Sequence, residues 1–195
     1  MAVLAIDPAT HCGWALRSEL GLASGVWDLS AGRGRPYTCR GLNLWYRLNE
    51  LSQAHEIGLL AYEKVERHSS GQKSDRMVKC SGCGKRVAAG GRVENVYAAH
   101  LYGGLSMVLE MWAERIQARV ETVPVGTIKK FATGHGNATK EDMIAWAKLR
   151  WPEQRVGSDD QADALHILDW VEVEILKRRG KVVVDVRQQQ LGGVL

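Results

Sequence analysis

The sequence predicts an α/β fold, a mixed five-stranded sheet flanked by helices. Three observations carry this. Two short apolar runs, Val3-Leu4-Ala5-Ile6 and Leu59-Leu60-Ala61-Tyr62, have the length and composition of buried strands, and each ends in an acid, Asp7 and Glu63. Leu42, Trp45, Tyr46, Leu48 and Leu51 recur at helical spacing between them, as a crossover joining parallel strands requires. Strand-like stretches follow the first run at once, joined by tight turns, which reads as an antiparallel meander.

Taken in order, Val3 to Asp7 is the first strand and Pro8-Ala9-Thr10 turns the chain. Cys12 to Leu16 is extended, and Gly25 to Leu29 makes a third strand. Gly32 to Pro36 is a loop before the helix around Trp45, and Leu59 to Glu63 is the fourth strand, parallel to the first. Residues from about 67 to 93 break the pattern with Ser, Gly, Lys and Arg and are read as an inserted loop or small knuckle. Asn95 to about Gln117 is a long amphipathic helix with Tyr97, Leu101, Leu105, Val108, Leu109 and Trp112 inward. Val120 to Val123 is the fifth strand, Pro124 to Phe131 a short helix, and Gly134-His135-Gly136 a turn. Thr139 caps a helix reaching about Leu149, with Asp142 in the capping-box position, and Ser158 caps the last long helix.

The chain has 195 residues, enough for one domain with a sizeable core. Residues 1–178 are read as that domain and 179–195 as a tail. Seven Trp accompany one Phe, and Trp14, Trp27, Trp45 and Trp112 lie in apolar-patterned segments that place them in the core. The net charge of +4 suits a polyanionic partner without requiring one. No stretch approaches the roughly 20 apolar residues of a membrane span, and no signal peptide is visible, so a cytoplasmic protein without a membrane partner is expected.

The chemistry is concentrated in carboxylates. Asp160 and Asp163 lie three apart and so share one helix face. Both fall in the first turns, where the helix dipole favours ionised acids. With Asp7 and Glu63 at strand ends they form the kind of oxygen-donor set that holds hard divalent cations. Such a set can serve hydrolysis of a phosphodiester by an in-line water, with two cations clamping the attacking and leaving oxygens. Asp159, about 100° round the helix from Asp160, is read as a cap or a loose metal contact.

The order of strands and helices, with acids on strands one and four and on the last helix, is the ribonuclease-H-like arrangement. At these residues the chain resembles the RuvC family of Holliday-junction resolvases, in a phage-type or bacterial form. The matching pieces are Ala5-Ile6-Asp7-Pro8-Ala9-Thr10 with Gly13, Tyr62-Glu63, Ala98 to Gly104, Val123 to Lys130, Gly134 to Lys140, and Asp160-Gln161-Ala162-Asp163-Ala164-Leu165. The resemblance implies a magnesium- or manganese-dependent endonuclease that resolves four-way DNA junctions by symmetric cuts. It implies two cations per site, Asp7 as bridging ligand, and Glu63, Asp160 and Asp163 completing the set. It also implies a homodimer acting in a bacterial or phage-infected cell, and a phosphate contact by Lys140. Taken singly, each acid is more often a turn residue or a cap than a metal ligand.

Thr127 to Lys140 carries Lys129, Lys130, His135 and Lys140 around two glycines. Lys129 and Lys130 are read as backbone-phosphate contacts, and Ala98 to Gly104 as a small-residue face for close packing against the sheet or a second subunit. Cys80 and Cys83 form half of a zinc ribbon, and three readings stay open: free thiols, a zinc site completed by His68 or His100, or two subunits pooling their pairs. Arg76, Lys79, Lys85 and Arg86 make the same insertion a candidate DNA arm. The competing functions are a broader branched-DNA debranching nuclease, a non-catalytic junction-binding protein, and an actin-like ATPase or sugar kinase. The last also opens with a strand, an Asp and a tight turn, but needs more chain and has no use for the Asp160/Asp163 pair.

Overall fold

The computed structural model describes residues 1–30, 39–64, 77–79, 86–88 and 96–178, of which 77–79, 86–88 and 96–99 are described for the backbone alone. β1 (Ala2–Asp7), β2 (His11–Ser18) and β3 (Gly21–Asp28) form the meander, antiparallel throughout. The β2–β3 hairpin turns on Gly21, whose φ of 120° suits a residue without a β-carbon. α1 (Cys39–Ala54) then crosses over to β4 (Ile57–Lys64), which runs parallel to β1. Within the insertion, β5 (Met77–Lys79) pairs antiparallel with β6 (Arg86–Ala88). α2 (Val96–Arg115) leads to β7 (Arg119–Pro124), parallel to β4. The main sheet is therefore five-stranded and mixed, in the order β3-β2-β1-β4-β7.

α3 (Val125–Thr133), α4 (Lys140–Arg150) and α5 (Asp159–Trp170) complete the chain, with a single π-helical turn over Val171–Ile175. Local chemistry explains their ends. Gly134 takes the left-handed conformation that stops α3, and its N–H donates to the Lys130 carbonyl. Thr139 and Asp142 make the reciprocal capping box of α4, and the Ser158 hydroxyl accepts the Gln161 N–H at the start of α5.

Strand periodicity sorts the core into two halves. Val3, Ala5, Leu59 and Ala61 face one way, against α3, α4 and α5. Leu4, Ile6, Leu60 and Tyr62 face the other way, against α1 and α2. The first face is lined by small side chains, Ala5, Ala15 and Ala61, and α5 meets it with Ala162 and Ala164, all fully buried. Small against small lets the helix lie close to the strands.

Some sequence expectations are corrected. Of the four core tryptophans only Trp112 is fully buried. Trp14 and Trp27 stack on each other at 5.4 Å beside the second core, and Trp45 lies under the Arg115 guanidinium. Gly103 and Gly104 have no neighbouring atoms where a β-carbon would stand, so this part of the small-residue stretch does not pack on the sheet. Cys80, Cys83, His68, Arg76, Lys85, the Gly32–Pro36 loop and residues 179–195 lie outside the described residues, as do the side chains of Tyr97, Lys79 and Arg86. Among the described residues no helix is long and apolar enough to cross a membrane.

Candidate active site

The alternation that buries the strands also aims the acids. Asp7 continues the row Val3, Ala5, and Glu63 continues Leu59, Ala61, so both carboxylates leave the sheet on the α5 side. Parallel pairing brings Ile6 opposite Tyr62, which sets the two acids side by side at the ends of adjacent strands. α5 supplies Asp160 and Asp163 from its first turns. Its approach depends on Gly13, which pairs with Asp7 across β1 and β2. A β-carbon on residue 13 would overlap the backbone carbonyl of Asp160.

The electrostatics show how near these groups are. Burial first, then the charges of Glu63, Asp163, Asp160 and Asp159, push the Asp7 carboxyl well above the usual range. Burial and the Asp163 charge push Glu63 up to about 7. Burial and the charges of Asp159 and Asp160 push Asp163 up to about 6. Asp160 is also raised, by burial and then by Asp159. One Asp163 carboxylate oxygen, Oδ1, is buried with no hydrogen-bond partner.

Two lysines flank this cluster. Lys129 on α3 donates from Nζ to the Ala138 carbonyl at 2.8 Å and opposes the rise at Glu63 and Asp163. Lys130, the next residue on the helix, is exposed, so the adjacent lysines do not act alike. Lys140, the first residue of α4, is bound to Asp159 rather than free in solvent. Ser158 accepts the Gln161 N–H at the start of α5, while the Asp159 carboxylate takes Lys140 and the backbone N–H groups of Asp159 and Asp160. That carboxyl is held below the usual range by the lysine.

Two residues were not singled out from the sequence. Burial and then the charges of Asp7, Glu63 and Asp160 raise the Tyr102 hydroxyl, which therefore borders the cluster from α2. His11, 4.0 Å from Asp28, stands near enough to Asp160 for an imidazolium to draw that acid down. His100 and His135 are exposed. A hydrogen-bonded chain holds α5 from the other side: Gln161 donates to Ser24 at 3.0 Å, Ser24 to Gln154 at 2.8 Å, and Gln154 to the Leu22 carbonyl at 3.1 Å.

The donor set fits a hard cation. All four acids offer oxygen, burial and mutual repulsion make each hold its proton more tightly than usual, and Asp163 Oδ1 has no hydrogen-bond partner. Among the described residues no three His, Cys, Asp or Glu side chains stand close enough together to hold a metal ion.

No protein-family profile matches the sequence, and no curated protein matches it. Solved structures do. The fold is similar to that of Thermus thermophilus RuvC in complex with a Holliday junction substrate, with a TM-score of 0.60 and 18% identity over 86% of this chain and 90% of that one. A second Thermus thermophilus RuvC structure gives 0.58 and 16%, covering 90% and 98%. The yeast mitochondrial Holliday junction resolvase Ydc2 gives 0.50 and 14%, covering 85% and 75%. At these identities the likeness establishes the fold, which is the RuvC-like form of the ribonuclease-H-like α/β arrangement.

Proposed function

We propose that this chain is a divalent-metal-dependent endonuclease that cuts four-way DNA junctions by phosphodiester hydrolysis. The observation that carries the reading is the convergence of Asp7, Glu63, Asp160 and Asp163 at one end of the sheet, with raised proton affinities and an unbonded carboxylate oxygen. It is supported by the fold shared with a protein solved on a Holliday junction.

Asp7, Glu63, Asp160 and Asp163 would hold two magnesium or manganese ions. Bound there, the ions supply an activated water and stabilise the leaving 3′ oxygen. Lys140 contacts the phosphate being cut and offsets its growing charge. Lys129, seated between the acids and Ala138, keeps positive charge beside Glu63 and Asp163. Lys130 and the insertion residues Arg76, Lys79, Lys85 and Arg86 hold backbone phosphates, which position DNA without reading sequence. The chain acts as a homodimer, because two symmetric cuts on a junction call for two sites related by a two-fold axis.

The test is a mobile four-way junction beside linear duplex, with and without magnesium or manganese, mapping nicks on every strand. Paired symmetric nicks on the junction alone, only with metal, are expected. Binding without nicks would make the protein architectural, and nicking of linear duplex would remove the junction selectivity.

A further inference from the structure

Lys140 and Asp159 are joined across two helices. Lys140 opens α4, where the positive end of the dipole disfavours an ammonium, so nothing in α4 holds this side chain inward. Its hold comes from α5, where Nζ donates to the Asp159 carboxylate. Ser158 takes the Gln161 N–H at the helix start, and backbone N–H groups of Asp159 and Asp160 steady the Asp159 carboxylate that accepts the lysine. The Lys140 side chain remains 76% exposed and that of Asp159 28%. A pair this open to water is screened and readily exchanged. Asp160, the next residue, and Asp163 belong to the carboxylate cluster, so the pair keeps the ammonium at the rim of the metal site.

We propose that Asp159 is a positioning residue that holds Lys140 beside the carboxylate cluster until a DNA phosphate takes its place, an inference resting on the nuclease reading above. A phosphate offers several charged oxygens to the ammonium, and such charge-assisted bonds are strong. Asp159 offers one partly exposed carboxylate. The lysine is kept near the place where the phosphate arrives, rather than sweeping solvent on a long flexible stem. Asp159 does not touch the substrate and acts through Lys140.

Lysine-selective ¹⁵N NMR of the full chain tests this in chelator, where no cutting occurs, with the Lys140 ammonium signal assigned through Lys140→Arg. The signal is expected in the unmodified protein, absent in Asp159→Asn, restored in Asp159→Glu, and shifted by one equivalent of four-way junction. An Asp159→Asn protein with an intact amide spectrum that keeps the signal would overturn the proposal. So would a signal that DNA leaves unmoved. Fluorescence anisotropy on the same samples separates the causes: no junction binding sinks the nuclease reading too, whereas intact binding sinks the exchange alone. Affinity gives a second readout. Asp159→Asn should tighten junction binding several-fold in the unmodified background and much less with Lys140→Ala. Equal tightening in both would make Asp159 a plain repulsive charge and overturn its role.

Discussion

Gly13 and Asp160 occupy the same small space: the helix carbonyl of one lies where the other's side chain would begin. The strand that pairs with Asp7 is thereby in backbone contact with the helix that carries two of the other acids. Gly13→Ala should force the start of α5 away from the sheet. An overpacked core costs about 1–3 kcal/mol, so a lower melting temperature is expected, together with a larger fractional loss of magnesium affinity by calorimetry. Unchanged metal affinity in the folded variant would show that the close approach is not what sets the site.

Asp7→Asn should leave junction binding intact and lower cleavage by at least ~100-fold, since it removes a proposed ligand. Without metal it should melt higher than the parent at pH 8, because a crowded buried charge is gone. A variant that fails to fold would make Asp7 structural instead.

The pH dependence follows from the raised carboxyls. Asp163 moves from 3.8 to about 6 and Glu63 from 4.5 to about 7. Each binds its proton more tightly folded than unfolded, so the stabilisation is complete below about pH 4 and is lost as pH rises through about 6 and then about 7. In chelator the protein should therefore lose on the order of 1–3 kcal/mol per group between pH 4 and 8, read as a falling melting temperature. Magnesium should restore much of it. Protons and cations compete for the same oxygens, so cleavage at sub-saturating magnesium should fall as pH drops below about 7, the value at Glu63. A metal-free melting temperature that rises with pH would contradict this assignment.

Lys140→Ala should reduce cleavage by about ten- to a hundredfold while changing affinity little, as loss of one charge-stabilising donor does. An unchanged rate on pre-bound junction would remove Lys140 from the reacting centre.

Much of this was legible in the sequence, for identifiable reasons. Val3 to Asp7 and Leu59 to Glu63 announce themselves because strand alternation fixes both burial and the direction of the terminal acid. Asp160 and Asp163 do so because helical spacing puts them on one face, and Thr139 with Asp142 because a capping box is local. What escaped depends on which elements meet. The Lys140–Asp159 pair joins long polar side chains from two helices, and no periodicity reports it. Lys129 and Lys130 look equivalent in sequence, yet one helical step separates a half-buried lysine from an exposed one. Gly13 reads as a glycine in a strand until α5 is laid over it. Tyr102 sits in a stretch read for its small residues, so its approach to the acids was hidden. Trp14 and Trp27 were assigned to the core on hydrophobicity; they pack against the second core only in part and stack on each other at the outer strands of the sheet.

The carboxylate cluster draws on the first strand and the last helix, with Glu63 between them in chain order. A growing polypeptide therefore has two of the cluster's four acids, Asp7 and Glu63, in place early and gains Asp160 and Asp163 only when α5 emerges and docks. No nascent or truncated form lacking that helix can bring the four acids together. The topology acts as a timer: the proposed chemistry has no complete set of ligands until the whole domain is folded.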